Sequence, residues 1–205
     1  MEAVVELASG HLVDGRPFTD PARTEEDASI MRDMLERMRT ATRSWDCSPP
    51  SGPGVLVYEP DEAGRRTWIR APDRDALLAA EELTTVGYFG QARAGVDHTP
   101  IHRLEAAIVD TLEEIPGVLS YFDLELENGR YGNLILCDAP DVPARWHAHE
   151  LHCRAVELAP RHYHSARLHR GVVRSPLLGT ADLVVLRTRY YDFDSEPTWL
   201  AVRDF

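Results

Sequence analysis

Apolar residues in this chain recur in two rhythms, every third or fourth position in some stretches and every second in others, and the changes of rhythm mark the elements. Met31, Met34, Leu35, Met38, Thr42 and Trp45 form one stripe at helical spacing, behind Thr24 as N-cap and an acidic first turn of Glu25, Glu26 and Asp27. This helix stops before SPPSGPG, the strongest punctuation in the sequence. Ahead of it, EAVVEL reads as a short strand followed by the turn-rich GHLVDGRPFTDPAR. Beyond it, GVLVYEP and RRTWIRA read as a hairpin turned at DEAG, Asp73 caps a helix through DRDALLAAEEL, and TTVGYFGQAR reads as a strand.

Pro100 introduces the helix IHRLEAAIVDTLEEI, with Ile101, Leu104, Ile108, Leu112 and Ile115 on one face and charged residues opposite, and Pro116–Gly117 end it. VLSYFDLELENGRYGNLILC is a hairpin turned at Asn128 and Gly129, a dipeptide suited to the positive φ values of a tight turn. Pro143 opens a histidine-bearing helix over residues 145–159, and ADLVVLRTRYYDF is a last strand whose tail, DSEPTWLAVRDF, packs or pairs near an end. Residues 160–178 follow neither rhythm clearly. His162, His164 and His169 either continue the helix beyond a kink at Pro160 or lie on a loop.

Read as elements, residues 84–205 run strand, helix, strand, strand, helix, strand, the ferredoxin-like βαββαβ order. Residues 1–83 run strand, helix, strand, strand, helix and then meet the strand at 86–93. The order predicts an α+β fold of two ferredoxin-like units, 1–83 and 84–205, forming an α/β barrel within the chain or across a dimer. Alternation in the strands predicts one apolar face (Val118, Phe122, Leu124, Leu126) and one mixed face (Leu119, Tyr121, Asp123, Glu125). Tyr131, Asn133, Ile135 and Cys137 alternate with Leu134 and Leu136, and Arg187, Arg189 and Tyr191 with Leu186, Thr188 and Tyr190. A mixed face either meets water or lines a polar-aromatic pocket between sheets.

Composition narrows the functional classes. The 205 residues carry 34 acidic and 22 basic side chains, every basic one arginine, for a net charge of −12, so a phosphate backbone is repelled and nucleic acid is not an expected partner. There is no apolar run of membrane-spanning length, and MEAVVELASGHLVDG lacks a basic segment followed by a long apolar one, so neither a membrane nor a secretion signal is expected. Cys47, Cys137 and Cys153 are odd in number and widely spaced, which points to a reducing cytoplasm rather than to disulfides or structural zinc.

Candidate chemistry concentrates in RWHAHELHCRAVELAPRHYHSARLH, residues 145–169, which holds six of the nine histidines. On a continuous helical wheel, Glu150, Arg154 and Glu157 share an arc with His147 at its edge, whereas His149 and His152 lie among Trp146, Ala148, Cys153, Val156 and Ala159. Two imidazoles three apart then face inward, either as core histidines held by backbone carbonyls or as proton-transfer or metal-ligating groups. Cys153 beside them reads as a buried structural thiol rather than a nucleophile. HAHELH also echoes the H-x-H-x-D-H of metallo-β-lactamase-like enzymes and the H-x-H of cupins, but Leu151 stands at the Asp place and the segment is helix-patterned. Glycine-rich phosphate loops and serine or cysteine nucleophile motifs are absent.

The phrase IHRLEAAIVDTLEEIPGVLSYFDLEL, leading into a hairpin and then a helix with Trp146 and nearby histidines, resembles the dimeric α/β-barrel superfamily over residues 84–193. That group includes antibiotic-biosynthesis-type monooxygenases, heme-degrading monooxygenases, and chlorite dismutase and aldoxime dehydratase relatives. The resemblance implies a homodimer and a small organic substrate oxidised in a cavity between sheets, in specialised metabolism. It also implies a heme held by His149 or His152 beside Trp146, or else no cofactor and a substrate carbanion that passes an electron to O₂. Tyr121, Asn133 and Arg187 would orient substrate or stabilise negative charge. The Asn and Trp of heme-degrading members have their nearest matches in Asn133 and Trp146, in a different order and spacing. The competing expectation is a non-catalytic ligand-binding or regulatory protein of the same fold.

Overall fold

The computed structural model describes residues 4–44, 55–58 and 67–205. Helix α1 covers Pro21–Ser44 and starts ahead of the predicted Thr24 cap. Proline suits a first helical turn, where its missing N–H is not needed, and the Asp20 carboxylate accepts the Ala22 N–H at 2.9 Å. Thr24 consequently lies inside the first turn, with its hydroxyl 3.1 Å from that of Tyr190. Met31, Met34, Leu35 and Met38 are fully buried, as their spacing predicts. Trp45, Cys47, SPPSGPG and the DEAG turn lie outside the described residues.

The remaining elements are β1 (Val5–Glu6), β2 (Val55–Tyr58), β3 (Thr67–Ala71), α2 (Arg74–Ala79), β4 (Leu83–Ala92), α3 (Thr99–Asp110), β5 (Val118–Glu125), β6 (Arg130–Cys137), α4 (Val142–Ala148), α5 (Glu150–His162), β7 (Tyr163–Val173), β8 (Leu183–Asp192) and β9 (Trp199–Asp204). Asp73 caps α2 as predicted, accepting the Ala76 N–H at 2.9 Å. Asn128 and Gly129 turn the β5–β6 hairpin with φ of 59° and 69°. No helix among the described residues is long and apolar enough to cross a membrane.

The strands form one sheet in the order β1-β9-β8-β7-β4-β6-β5-β3-β2, with β1 parallel to β9 and the other pairs antiparallel. Its middle, β7-β4-β6-β5, is the ferredoxin-like order of the predicted 84–205 unit, with α3 linking β4 to β5 and α5 leading into β7. The first half departs from the predicted second unit. β3 pairs with β5 and β2 with β3, β1 joins the far edge through β9, and α1 lies across the sheet instead of serving a sheet of its own. Among the described strands the sheet is open at β1 and β2 rather than closed into a barrel.

The reason lies in which surface needs cover. Phe89, Phe122, Leu124, Leu134 and Leu136 point to one face, and the α1 methionine stripe packs on them within the same buried cluster. The approach is close: a Cβ on Gly87 would come within 2.5 Å of the Met31 sulfur. The opposite face carries Val86, Tyr121, Ile135 and Cys137, packed under Leu104, Ile108 and Trp146 of α3 and α4. A β-bulge between Val118 and Ser120 exchanges the predicted sides of Val118 and Leu119, so that Val118 joins the helix-covered face and Leu119 the α1 face.

Two elements differ from the sequence pattern. The histidine-bearing helix is broken at His149 (φ −67°, ψ 134°) into α4 and α5. The break resets the helical phase, so the side of α5 toward the sheet carries Leu151, Ala155, Leu158, Ala159 and His162, while Cys153 and Val156 face outward. The unassigned stretch 160–178 contains β7, an eleven-residue strand paired on both sides.

Candidate active site

The helix-covered face of the sheet holds a cluster of acids and phenols. Across four neighbouring strands, Trp68 of β3, Asp123 of β5, Asn133 of β6 and Tyr88 of β4 stand directly opposite one another in one row. Side chains on such a row sit about 5 Å apart. The rows to either side add Tyr121, opposite Ile135, and Tyr131, opposite Glu125. From above, α3 contributes Glu105. It lies four residues after Ile101 and three before Ile108, within the buried stripe, so its carboxylate points down onto the sheet.

Glu105 accepts hydrogen bonds from the Tyr121 hydroxyl at 2.6 Å and from the Tyr131 hydroxyl. Tyr121 accepts in turn from the Asn133 amide at 3.1 Å. The Trp68 indole N–H donates to Asp123 at 2.7 Å. Burial raises the Glu105 carboxyl even though both phenols stabilise its charged form. Asp123 is raised well above the ordinary carboxylate range, by burial first and then by the charge of Glu105. Tyr131 faces both acids. One phenolic proton cannot satisfy two carboxylates, so the two acids compete for it, and both carboxyls are held above their ordinary range, Asp123 the further.

Three buried polar atoms in this cluster have no hydrogen-bond partner among the described residues: the Tyr88 hydroxyl, Oδ1 of Asn133 and Oδ1 of Asp123. All three belong to the one cross-strand row, and aromatic rings flank them. Trp68 lies 5.6 Å from Tyr121, Tyr163 lies 5.7 Å from Tyr88, and Trp146 stacks on Tyr121 with centroids 6.1 Å apart. At one end, exposed His102 stacks on Tyr131 at 6.4 Å and on His98, whose Nδ1 is 3.3 Å from that of buried His162.

Of the residues singled out in the sequence, Tyr121 and Asn133 are in the cluster, and Trp146 packs against it. His152 is one step further away, edge-on to Trp146 at 5.7 Å and to exposed His147 at 5.3 Å. His149 stands at the N-cap position of α5 without a side-chain capping hydrogen bond. Arg187 is remote and exposed on β8, where its Nη2 donates to Asp204 at 2.9 Å. Cys153 is exposed, and its thiol donates to the His147 carbonyl at 3.3 Å. Glu105 carries a charge and so reads with the polar face of α3, although its place within the Ile101–Ile108 stripe marks it. Asp123 and Tyr131 stood on the mixed face without an assigned role.

These residues do not fit a heme. An axial histidine needs its second ring nitrogen held by a carbonyl or carboxylate, and Nδ1 of both His149 and His152 is without a partner among the described residues. The face of α5 toward the sheet is filled by Leu151, Ala155 and Leu158 instead. Among the described residues, no three His, Cys, Asp or Glu side chains converge as metal ligands.

His152 nevertheless leaves a signature. Burial, reinforced by His147, His149 and Arg170, pulls its imidazole down to about 4. An imidazole with a folded pKa below its unfolded value contributes stability that is complete above the unfolded pKa of about 6.5 and lost as pH falls toward the folded one. The melting temperature is expected to fall between pH 6.5 and 4, and His152→Gln to flatten that fall. Calorimetric pH profiles that superimpose for the two proteins would remove His152 as the cause.

No protein-family model matches the chain, and no curated protein sequence matches it. Among solved structures it is similar to SnoaB, a cofactor-independent oxygenase from Streptomyces nogalater, with a TM-score of 0.35 and 16% identity over 45% of this chain and 91% of that one. That likeness is too distant to bear on the site.

Proposed function

We propose that the chain is a small-molecule oxidoreductase of monooxygenase type that needs no resident cofactor and takes a flat, partly apolar organic substrate against the Tyr88–Asn133–Asp123 row. The observation behind this reading is Glu105, a carboxylate whose proton affinity is raised by burial, held by two phenols above three unpartnered polar atoms. A carboxylate so placed is suited to take a proton from an activated carbon. Tyr121 and Asn133 fix the carboxylate from behind, and the Tyr88 hydroxyl is the donor free to meet a developing oxyanion.

The chemistry closes without a further reductant. A substrate CH₂ gives its proton to Glu105, the carbanion passes one electron to O₂, and the resulting radical and superoxide combine at that carbon. The peroxide is protonated and loses water to leave a carbonyl, so that CH₂ and O₂ become C=O and H₂O. A cytoplasmic location accords with Cys137 and Cys153 being unpaired. The homodimer is part of this reading too, and since α1 already covers the apolar sheet face, a second copy would dock elsewhere.

The test is oxygen uptake by chelator-treated protein offered a panel of planar phenolic carbon acids, with ¹⁸O₂ traced into the product. Label in the product carbonyl or in water, with one O₂ consumed per turnover, is expected. Ligand-dependent thermal stabilisation without oxygen uptake or product would leave a binding protein and overturn the enzyme assignment.

A further inference from the structure

Away from the acid cluster, the same sheet face carries three arginines on two adjacent strands. Arg170 of β7 stands directly opposite Arg187 of β8, and Arg189 lies two residues further along β8. Like charges opposite one another across a ladder destabilise it. Arg187 is neutralised by Asp204. Arg170, half-buried, and Arg189, exposed, have no ion pair or hydrogen bond among the described residues. A guanidinium does not escape by losing its proton, and a partly desolvated charge without a counter-ion is costly.

The corner above Arg170 is also short of hydrogen-bond partners. His152 of α5 lies within its field, and Nδ1 of His149 and of His152 are both shut off from solvent without a partner. The carboxylates nearby are few. Asp138 sits beside Cys137, Asp141 is engaged by Arg145 at 3.4 Å, and Glu150 is exposed on the first turn of α5. In a chain of net charge −12, a concentration of cations here is a local feature and not a reflection of composition.

We propose that Arg170, with Arg189 and His152, forms a binding site for a small oxyanion, a carboxylate or phosphate group, between the start of α5 and strands β7 and β8. The planar fork of Arg170 takes two oxygens at once, the geometry that makes arginine selective for such groups. Arg189 closes the site from the solvent side, and the His152 ring supplies a donor from α5. The site stands on its own observations and does not depend on the role of Glu105.

The experiment titrates the whole protein with inorganic phosphate and, separately, with acetate, at ionic strength held constant with chloride, following the Arg170 side chain and the His152 ring by NMR. Saturable shifts at both residues are expected. Arg170→Gln should weaken binding by at least about tenfold, and Arg187→Gln by less than about twofold, because only the former removes an unpaired contact. Saturation by phosphate alone assigns a phosphoryl ligand, by acetate alone a carboxylate, and by both the shared oxyanion chemistry. Shifts that track ionic strength without saturating, or an Arg170→Gln protein that binds like wild type, would overturn the site. If Arg170→Gln does not fold, Arg189→Gln must weaken binding in its place, and unchanged affinity there overturns it equally.

Discussion

Replacing Asp27 with alanine should lower folding stability by about 3–5 kcal/mol, the range for breaking one side of a buried charge pair. Asp27 reaches from α1 into the sheet and is fully buried. Its carboxylate accepts from Arg167 at 2.5 and 3.1 Å, from Arg130 at 3.0 Å and from His169 Nε2 at 3.0 Å. Burial lowers the His169 imidazole despite Asp27, so the ring is neutral, donating through Nε2 while Nδ1 accepts from the Thr188 hydroxyl at 2.8 Å. Removing the carboxylate leaves buried Arg167 without its anion and His169 without its acceptor, while Arg130 keeps only Glu26, at 2.6 Å. For a chain of this length the loss corresponds to roughly 10 °C in melting temperature.

The pH dependence has a definite sign. Burial opposes ionisation of Asp27, but the hydrogen bonds from His169 and Arg167 and the charge of Arg167 outweigh it and hold the carboxyl below its usual value. A depressed carboxyl contributes stability that is present above its unfolded pKa of about 3.9 and lost as pH falls through the folded value. The difference between wild type and Asp27→Ala should therefore be largest near neutrality and shrink below about pH 4. Urea unfolding at pH 7 and pH 3 measures it, and a difference under about 1 kcal/mol at pH 7 would show that the cluster is not the anchor of α1.

The second large effect concerns turnover. Glu105→Gln should reduce kcat by about 10²–10⁴-fold, the usual contribution of a positioned acid–base group. Its effect on stability runs the other way. A carboxyl raised by burial contributes stability that is complete below its unfolded pKa and lost as pH rises through the folded one. Glutamine resembles the protonated acid, so the variant should be at least as stable as wild type at pH 8. Oxygen uptake and urea unfolding on one preparation separate the two effects. Undiminished kcat would remove Glu105 from the reaction, whereas lost kcat with lost stability would make it a structural residue.

Local signals were readable wherever one element could satisfy itself. The α1 stripe, the Asp73 cap, the α3 face and the Asn128–Gly129 turn each depend on residues close in sequence, and each is found in the structure. β7 was missed for a different reason. Arg167 and His169 alternate with Ala166 and Leu168 at strand spacing, but two charged or titratable groups read as solvent-facing until a distant Asp27 is known to receive them. The break at His149 has no punctuating glycine or proline at that position, so a continuous wheel assigns Cys153 and Val156 to a face that the real helix turns away from the sheet. In the candidate site, Tyr121 and Asn133 were legible from alternation, while Glu105 needed the helix and the sheet to be seen together.

The seat of α1 also bears on the order in which the chain can fold. Its apolar stripe is made early, before any of the central strands, yet the helix makes its main contacts with β6 and β8, which lie roughly 90 to 170 residues further on. During synthesis those methionines lack their sheet partners, Gly87, Phe89, Phe122 and Leu134, until β4, β5 and β6 have emerged. The sheet has the reciprocal problem, since Phe89, Phe122 and Leu134 stay bare until the helix settles. Partial chains therefore present matching sticky surfaces, and a chaperone that shields the nascent helix would act on this protein at its most vulnerable stage.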